Sequence, residues 1–153
     1  MSALPRIFLV GFGSTAETAL RSLAEHAEVV GLLRERNESD PAILLADQLQ
    51  VTVIDPGRCP DLQTVLEEAQ PHCVVVSSYN LIIKPQLLSR WPFVNVHYAP
   101  LPRYRGRASV NWAIVNGEPS TAISIHLIDE GLDSGNILFQ EEIPIGARDT
   151  VSD

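Results

Sequence analysis

The first half of the chain alternates short apolar runs with segments whose apolar residues recur at helical spacing. The runs predict buried strands and the intervening segments predict amphipathic helices. Strands are predicted at 6–10, 28–33, 51–54 and 73–76. Helices are predicted over about 14–25, from Pro41 onwards after Asp40, and after Asp61, which caps the start of its helix. Strand and helix in this order predict an α/β fold with a mostly parallel sheet and helices on both faces.

After residue 77 the pattern changes to shorter segments separated by proline-rich loops. Strands are predicted at 93–96, 121–128 and 136–143, with a helix at 110–116. The last residues, 149–153, have the composition of a helix start with no helix behind it. We therefore expect one domain over residues 1–153 that lacks its C-terminal helix or a further segment.

Composition narrows the class of protein. The chain has 153 residues, of which 45% are hydrophobic and 20% are charged, and this mixture is typical of a globular protein. A formal net charge of −8 argues against nucleic-acid binding, because phosphate contacts need a basic surface. No apolar run reaches the roughly 18 residues of a membrane helix. Cys59 and Cys73 lack metal-type spacing, so no metal site is predicted, and they fit a reducing cytoplasm.

A glycine-rich turn, residues 11–16, lies between the first predicted strand and the first predicted helix. Gly11, Gly13 and Ser14 could present backbone N–H groups to an anion at the helix start. Glu35 stands near the end of the second strand, where a dinucleotide-binding fold has an acidic residue, and arginines flank it. The turn is thus open to three interpretations: a purely structural turn, an anion site for a substrate, or a nicotinamide cofactor site.

A second constellation combines Asn95 and His97 at the end of a strand with Asp133 in a glycine-flanked loop. Asn95 and His97 are two residues apart on a strand, so their side chains point to the same side. A neutral donor, a titratable donor and a carboxylate can together stabilise an oxyanion and move a proton. Taken singly, each of the three also fits a structural role, Asp133 as a turn former.

Four blocks in this half of the chain carry a family resemblance. They are Asn95-Val-His97, residues 101–106 (LPRYRG), residues 111–118 (NWAIVNGE) and residues 131–135 (GLDSG). In this order they resemble the folate-dependent formyltransferase family, which acts on methionyl-tRNA, glycinamide ribonucleotide and amino sugars. The resemblance implies a Rossmann-like catalytic domain over residues 1–153 that uses 10-formyltetrahydrofolate as formyl donor.

The resemblance also implies roles for individual residues. Asn95, His97 and Asp133 match the catalytic triad of the family, with Asn95 and His97 binding the oxyanion and Asp133 assisting proton removal. The folate pocket is expected at two segments, one with Tyr79, Asn80, Leu81 and Ile83 and the other with Asp129 and Gly131. Core packing is an equal alternative for Leu81 and Ile83.

The acceptor is expected to be a small primary amine. The acidic chain disfavours transfer RNA, whereas the arginines of the second block could hold a phosphate or carboxylate. We expect a nucleotide-linked amino sugar, bound by Gly11, Gly13, Ser14, Arg103 and Arg105. A formyltetrahydrofolate hydrolase, an NAD(P)-binding or non-catalytic Rossmann module, and an amino-acid derivative as acceptor stay open as alternatives.

Overall fold

The computed structural model describes residues 3–58, 61–79 and 83–151, and the chain forms two compact units, residues 1–93 and 94–153. The strands of the first unit are β1 (Arg6–Gly11), β2 (Glu28–Leu33), β3 (Val53–Ile54) and β4 (Cys73–Ser77). Its helices are α1 (Gly13–His26), α2 (Pro41–Gln48), α3 (Leu62–Ala69) and the single turn α4 (Pro85–Leu88). The prediction of one domain over residues 1–153 stays a prediction.

The first unit is a parallel sheet with strand order β3-β2-β1-β4. The chain moves in one direction from β1 to β3 and then returns to the far side of β1. Right-handed crossovers therefore put α1 and α2 on one face and α3 on the other. Burial agrees, because Leu9 packs into the α1–α2 core while its neighbours Phe8 and Val10, which point the other way, are also fully buried.

Two helix starts in this unit follow directly from local sequence chemistry. The Asp40 side chain accepts the Ala42 N–H, with Pro41 at the first helical position of α2. The Asp61 side chain accepts the Thr64 N–H at the start of α3. Both predicted caps are confirmed.

The second unit is antiparallel. Its elements are β5 (Phe93–His97), whose first residue ends the first unit, then α5 (Ser109–Val115), β6 (Ser120–Leu127) and β7 (Ile137–Pro144). β5 pairs with β6 and β6 pairs with β7. Asn95 lies opposite His126 and His97 lies opposite Ser124, so these four side chains share one face of the ladder.

That face of β6 is the more buried one, although it carries polar residues. Ser124 is fully buried, and its hydroxyl is satisfied there because it donates to the Ala99 carbonyl at 2.6 Å and accepts from the Gln140 amide at 2.8 Å. The apolar residues of the opposite face, Ile123, Ile125 and Leu127, are only half-buried. The buried polar face is thus the one that forms a site.

The α/β class with a mostly parallel sheet is confirmed, as are helices on both faces of the first unit's sheet. Within the part of the chain that the structure describes, no helix is both long and apolar enough to cross a bilayer.

Candidate active site

The structure brings Asn95, His97 and Asp133 together in the second unit. The Asn95 amide Nδ2 lies 3.4 Å from Asp133 Oδ1, and His97 Nδ1 lies 3.7 Å from Asp133 Oδ2. The side chains of His97 and Asp133 are only 9% and 13% exposed. Three groups that the sequence places far apart therefore form one largely buried cluster, as predicted.

Asp133 is held in place by the backbone of a neighbouring loop. Its Oδ2 accepts the Gly106 N–H at 2.8 Å. Asp133 itself has a left-handed backbone conformation with φ of 46°, which aspartate tolerates better than most residues. The carboxylate orientation thus depends on two loops, 98–108 and 129–135.

His97 is fixed through its other ring nitrogen. Nε2 lies 2.9 Å from the Tyr104 carbonyl oxygen. A carbonyl only accepts, so Nε2 carries the hydrogen and the neutral ring has its lone pair on Nδ1. His97 therefore turns Nδ1 towards Asp133.

A fourth polar residue, His126, belongs to the same cluster. Its Nδ1 lies 2.8 Å from the Leu127 carbonyl and so donates. Its Nε2 is 3.2 Å from Asn95 Nδ2 and 3.5 Å from Asp133 Oδ1. Neutral His126 can accept from Asn95 at Nε2, whereas the protonated ring donates from Nε2 to Asp133.

His126 is not among the site residues predicted from the sequence. Alternation along 121–128 drew attention to the apolar face, and His126 lies on the opposite one. The signal that could reveal it is the antiparallel pairing of β5 with β6, which aligns His126 with Asn95 and which was not predicted from the sequence.

Electrostatics favour an ionised pair. Burial acts to lower the pKa of His126, but hydrogen bonds with Asp133 and the Leu127 carbonyl outweigh it, and the pKa is raised. Burial acts to raise the pKa of Asp133, but bonds with His126 and the Gly106 N–H, together with the charge of His97, outweigh it, and the pKa is lowered. The Asp133 carboxylate is therefore ionised at neutral pH and can accept a proton that a neighbouring group passes to it.

The loop expected to form one wall of the folate pocket is closed on itself. Asp129 Oδ1 accepts the Gly131 N–H at 3.0 Å and the Ser134 hydroxyl at 2.7 Å. A Cβ at Gly131 would lie 2.0 Å from Ser134 Oγ, so a larger residue here would displace the hydroxyl that donates to Asp129. Asp129 and Gly131 thus shape a preformed turn, and their contact with folate stays a prediction.

The other predicted folate segment belongs to the first unit. Tyr79 is half-buried and Ile83 is buried, while Asn80 and Leu81 lie outside the described residues. The folate-binding role of all four stays a prediction.

The glycine-rich turn already holds an anion that belongs to the chain. The Gly13 N–H donates to Asp40 Oδ2 at 3.2 Å, and Arg34 Nε donates to the same oxygen at 2.9 Å. Burial acts to raise the pKa of Asp40, but these bonds and that of the Ala42 N–H outweigh it, and the pKa is lowered. Acceptor binding by Gly11, Gly13 and Ser14 stays a prediction.

Glycine is needed at position 11 for a structural reason. A Cβ at this position would lie 2.0 Å from the backbone carbonyl oxygen of Ser77 in β4. Glycine is therefore required for the close approach of the two strands.

The two arginines predicted to bind the acceptor differ in their contacts. Arg103 forms an ion pair with Glu118 and lies over the Tyr104 ring. Arg105 and the neighbouring Arg107 are exposed, and neither has an ion pair or hydrogen-bond partner among the described residues. Arg105 is thus freer than Arg103 to meet a ligand.

Known proteins resemble the chain over almost its whole length. The sequence matches the formyl transferase family over residues 15–153. It is 31% identical, over 95% of its length, to a methionyl-tRNA formyltransferase of Desulforamulus reducens, and covers 50% of that protein. It is 39% identical, over 69% of its length, to a methionyl-tRNA formyltransferase of Syntrophus aciditrophicus, and covers 35% of it.

Solved structures agree. A phosphoribosylglycinamide formyltransferase from Streptococcus pneumoniae superposes with a TM-score of 0.83 at 26% identity, covering 97% of this chain and 87% of that one. A glycinamide ribonucleotide transformylase from Geobacillus kaustophilus superposes with a TM-score of 0.82 at 25% identity, again covering 97% and 87%.

The chain belongs to the formyl transferase family. The family uses 10-formyltetrahydrofolate as its formyl donor. The chain spans about half the length of the curated relatives it matches.

Proposed function

We propose that this protein transfers a formyl group from 10-formyltetrahydrofolate to the primary amine of a small, phosphate-bearing acceptor, with a nucleotide-linked amino sugar as the acceptor class. The observation that carries the proposal is the buried cluster of Asn95, His97 and Asp133 in a chain of this family. The cluster provides what acyl transfer needs, namely hydrogen-bond donors for an oxyanion and an ionised carboxylate.

The donor supplies an electrophilic formyl carbon. Asn95 uses an amide hydrogen, and His97, when its ring is protonated on Nδ1 as well as Nε2, uses the Nδ1 hydrogen to stabilise the oxygen that becomes negative when the amine nitrogen bonds to that carbon. Asp133 accepts the proton that the amine loses, directly or through water. The same proton then returns to the leaving nitrogen as its bond to the formyl carbon breaks, so charge and protons balance.

Two observations support a small anionic acceptor. Arg105 and Arg107 are exposed and unpaired among the described residues, in the 98–108 loop whose backbone holds Asp133. The chain carries a formal net charge of −8, which opposes a polyanion more than a single phosphate.

Methionyl-tRNA is a second candidate acceptor. The observation that favours it is the name of the curated relatives, which are methionyl-tRNA formyltransferases at 31% and 39% identity. The chain spans about half the length of the first of these relatives, so methionyl-tRNA is tested beside the amino sugar.

A panel of acceptors tests the proposal. The protein is mixed with 10-formyltetrahydrofolate and, separately, a nucleotide-linked amino sugar, glycinamide ribonucleotide, methionyl-tRNA or no acceptor. Release of tetrahydrofolate is followed by absorbance and the formylated product by mass spectrometry. We expect product with the amino sugar, formed about 100-fold or more slowly by Asp133→Asn.

Other outcomes of the same panel would contradict the proposed function. Product only with methionyl-tRNA would show that methionyl-tRNA, and not the amino sugar, is the acceptor. Formate release without any amine would indicate a hydrolase. Binding of NADPH with no turnover of the folate would favour a dinucleotide-binding module.

A further inference from the structure

The 98–108 loop supplies two backbone groups to the candidate site. The Tyr104 carbonyl accepts from His97 Nε2, and the Gly106 N–H donates to Asp133 Oδ2. Both residues have left-handed backbone conformations, with φ of 56° and 85°. For tyrosine this conformation is unfavourable, so something outside the backbone must hold it.

The Tyr104 side chain provides that hold. Its hydroxyl donates to Glu118 Oε1 at 2.7 Å and accepts from the Asn116 amide at 3.0 Å. Glu118 also pairs with Arg103, and its side chain is 22% exposed. The loop is thereby tied to the segment that directly follows α5.

We propose that Tyr104 and Glu118 form a latch that positions His97 and Asp133. This inference rests on the proposed function, because it assigns a role relative to the two residues that act in formyl transfer. Tyr104 and Glu118 are positioning residues and need not touch either substrate.

The latch has a specific chemical effect. As long as the Tyr104 carbonyl faces Nε2, neutral His97 carries its hydrogen there and keeps Nδ1 open towards Asp133. If the side-chain anchor is removed, the left-handed residue relaxes and its carbonyl turns away. The ring then loses its tautomer preference, and the Gly106 N–H moves away from Asp133 because it lies two residues further along.

Three variants test this latch. Tyr104→Phe removes one hydroxyl and keeps the ring, Glu118→Ala removes the acceptor, and Glu118→Gln keeps an oxygen that can accept from tyrosine. The controls are Tyr98→Phe, a phenol of the same loop, and Glu67→Ala, a carboxylate that pairs with Arg90 in the first unit.

The first readout needs no substrate. Nitrogen-15 NMR of the histidine rings at high pH is expected to show His97 as the Nε2–H tautomer in the wild type. Tyr104→Phe and Glu118→Ala are expected to give a mixture of tautomers, whereas Glu118→Gln and both controls keep the wild-type pattern. A wild-type pattern in Tyr104→Phe would overturn the latch.

The second readout is kinetic. Both latch-breaking variants are expected to lower kcat by about 10- to 100-fold with little change in KM for either substrate, since small misplacements of reacting groups have effects of this size. Glu118→Gln is expected to retain most of kcat. Unchanged kcat in Tyr104→Phe would contradict the latch.

The two proposals fail in different ways. A protein without formyl transfer to any acceptor would refute the proposed function, while the NMR readout would still decide the latch. If Glu118→Ala does not fold, Tyr104→Phe decides it alone.

Discussion

Backbone groups of the 98–108 loop hold His97 and Asp133 in the site. One ring nitrogen of His97 and one carboxylate oxygen of Asp133 are bound to loop backbone, so each residue has a defined orientation before any substrate arrives. Preorganised donors of this kind need no rearrangement when charge develops on a reacting oxygen.

Substitution of either residue is expected to lower turnover in a protein that still folds. His97→Ala and Asp133→Asn should each lower kcat by about 100-fold or more, because each removes a donor or proton acceptor. Asparagine is the appropriate replacement at 133, since it tolerates the left-handed backbone. Steady-state kinetics with the best acceptor measures the effect.

Asp47→Asn, an exposed carboxylate paired with Arg36, is the matched control and should be fully active. Near-wild-type activity of either site variant would refute its assigned role, and loss of its circular dichroism spectrum would indicate a structural role instead.

The Asp133–His126 pair makes stability depend on pH in two directions. Asp133 has a lowered pKa, so its contribution is present above about pH 4 and is lost as the pH falls through the folded-state pKa. His126 has a raised pKa, so its contribution is present below about pH 6.5 and is lost as the pH rises through the folded-state pKa. The stabilisation is therefore greatest between these limits.

Asp133→Asn is expected to remove both effects. Urea unfolding of wild type and variant should show the largest difference in unfolding free energy near about pH 5.5, with a smaller difference at more acidic and more alkaline pH. A difference that stays constant from pH 4 to pH 9 would show that the two groups are not coupled.

The sequence indicated part of this site and not the rest, for a physical reason. Asn95, His97 and Asp133 can be found because side-chain identity is what a sequence records. The Tyr104 carbonyl and the Gly106 N–H are backbone groups, available at every position, and only the folded loop determines which of them face inwards. His126 lies between these cases, since it required the β5–β6 register.

At the scale of elements, β1 and β4 approach so closely that only glycine fits at one position. Gly11→Ala is expected to destabilise the protein by roughly 3 kcal/mol or more, because its Cβ would lie 2.0 Å from a β4 backbone oxygen that cannot move alone. Chemical denaturation measures the loss.

Gly57→Ala provides the comparison. Its Cβ would meet only the end of the Asp55 side chain, at 3.3 Å, so its cost should stay below about 1 kcal/mol. Equal stability of the two variants would mean that β1 and β4 do not need this close contact.

Element boundaries were predictable where local chemistry defines them. The caps Asp40 and Asp61 fixed two helix starts, because a side chain bonded two or three residues ahead is a short-range feature. The third strand is Val53–Ile54 and not 51–54, because the Val51 N–H bonds back to Ala46 at the end of α2. Helix α4, four residues long, is too short to produce periodicity.

At the scale of the whole molecule, charge sets the conditions for acceptor binding. With a formal net charge of −8, the protein repels anions in general, so an anionic acceptor must gain its affinity from a local positive group. Arg105 and Arg107 fit that requirement, since they are exposed and without partners among the described residues.

Removing both arginines should therefore weaken acceptor binding without slowing the chemistry. The double variant Arg105→Ser/Arg107→Ser is expected to raise KM for a phosphate-bearing acceptor by about 10-fold or more with kcat unchanged, as loss of a charge-assisted hydrogen bond implies. Arg58→Ser, an exposed arginine of the first unit, should leave KM unchanged. An unchanged KM in the double variant would exclude these arginines from the acceptor site.

The carboxylate of Asp40 at the glycine-rich turn acts as a tethered competitor. A free phosphate can reach the Gly13 N–H only by displacing a group that is present at very high effective concentration, since the chain itself holds it there. Displacement would also cost the Arg34 ion pair and the cap of α2. At a turn whose sequence suggests nucleotide binding, a phosphate therefore has to compete with a carboxylate that lies 27 residues further along the same chain.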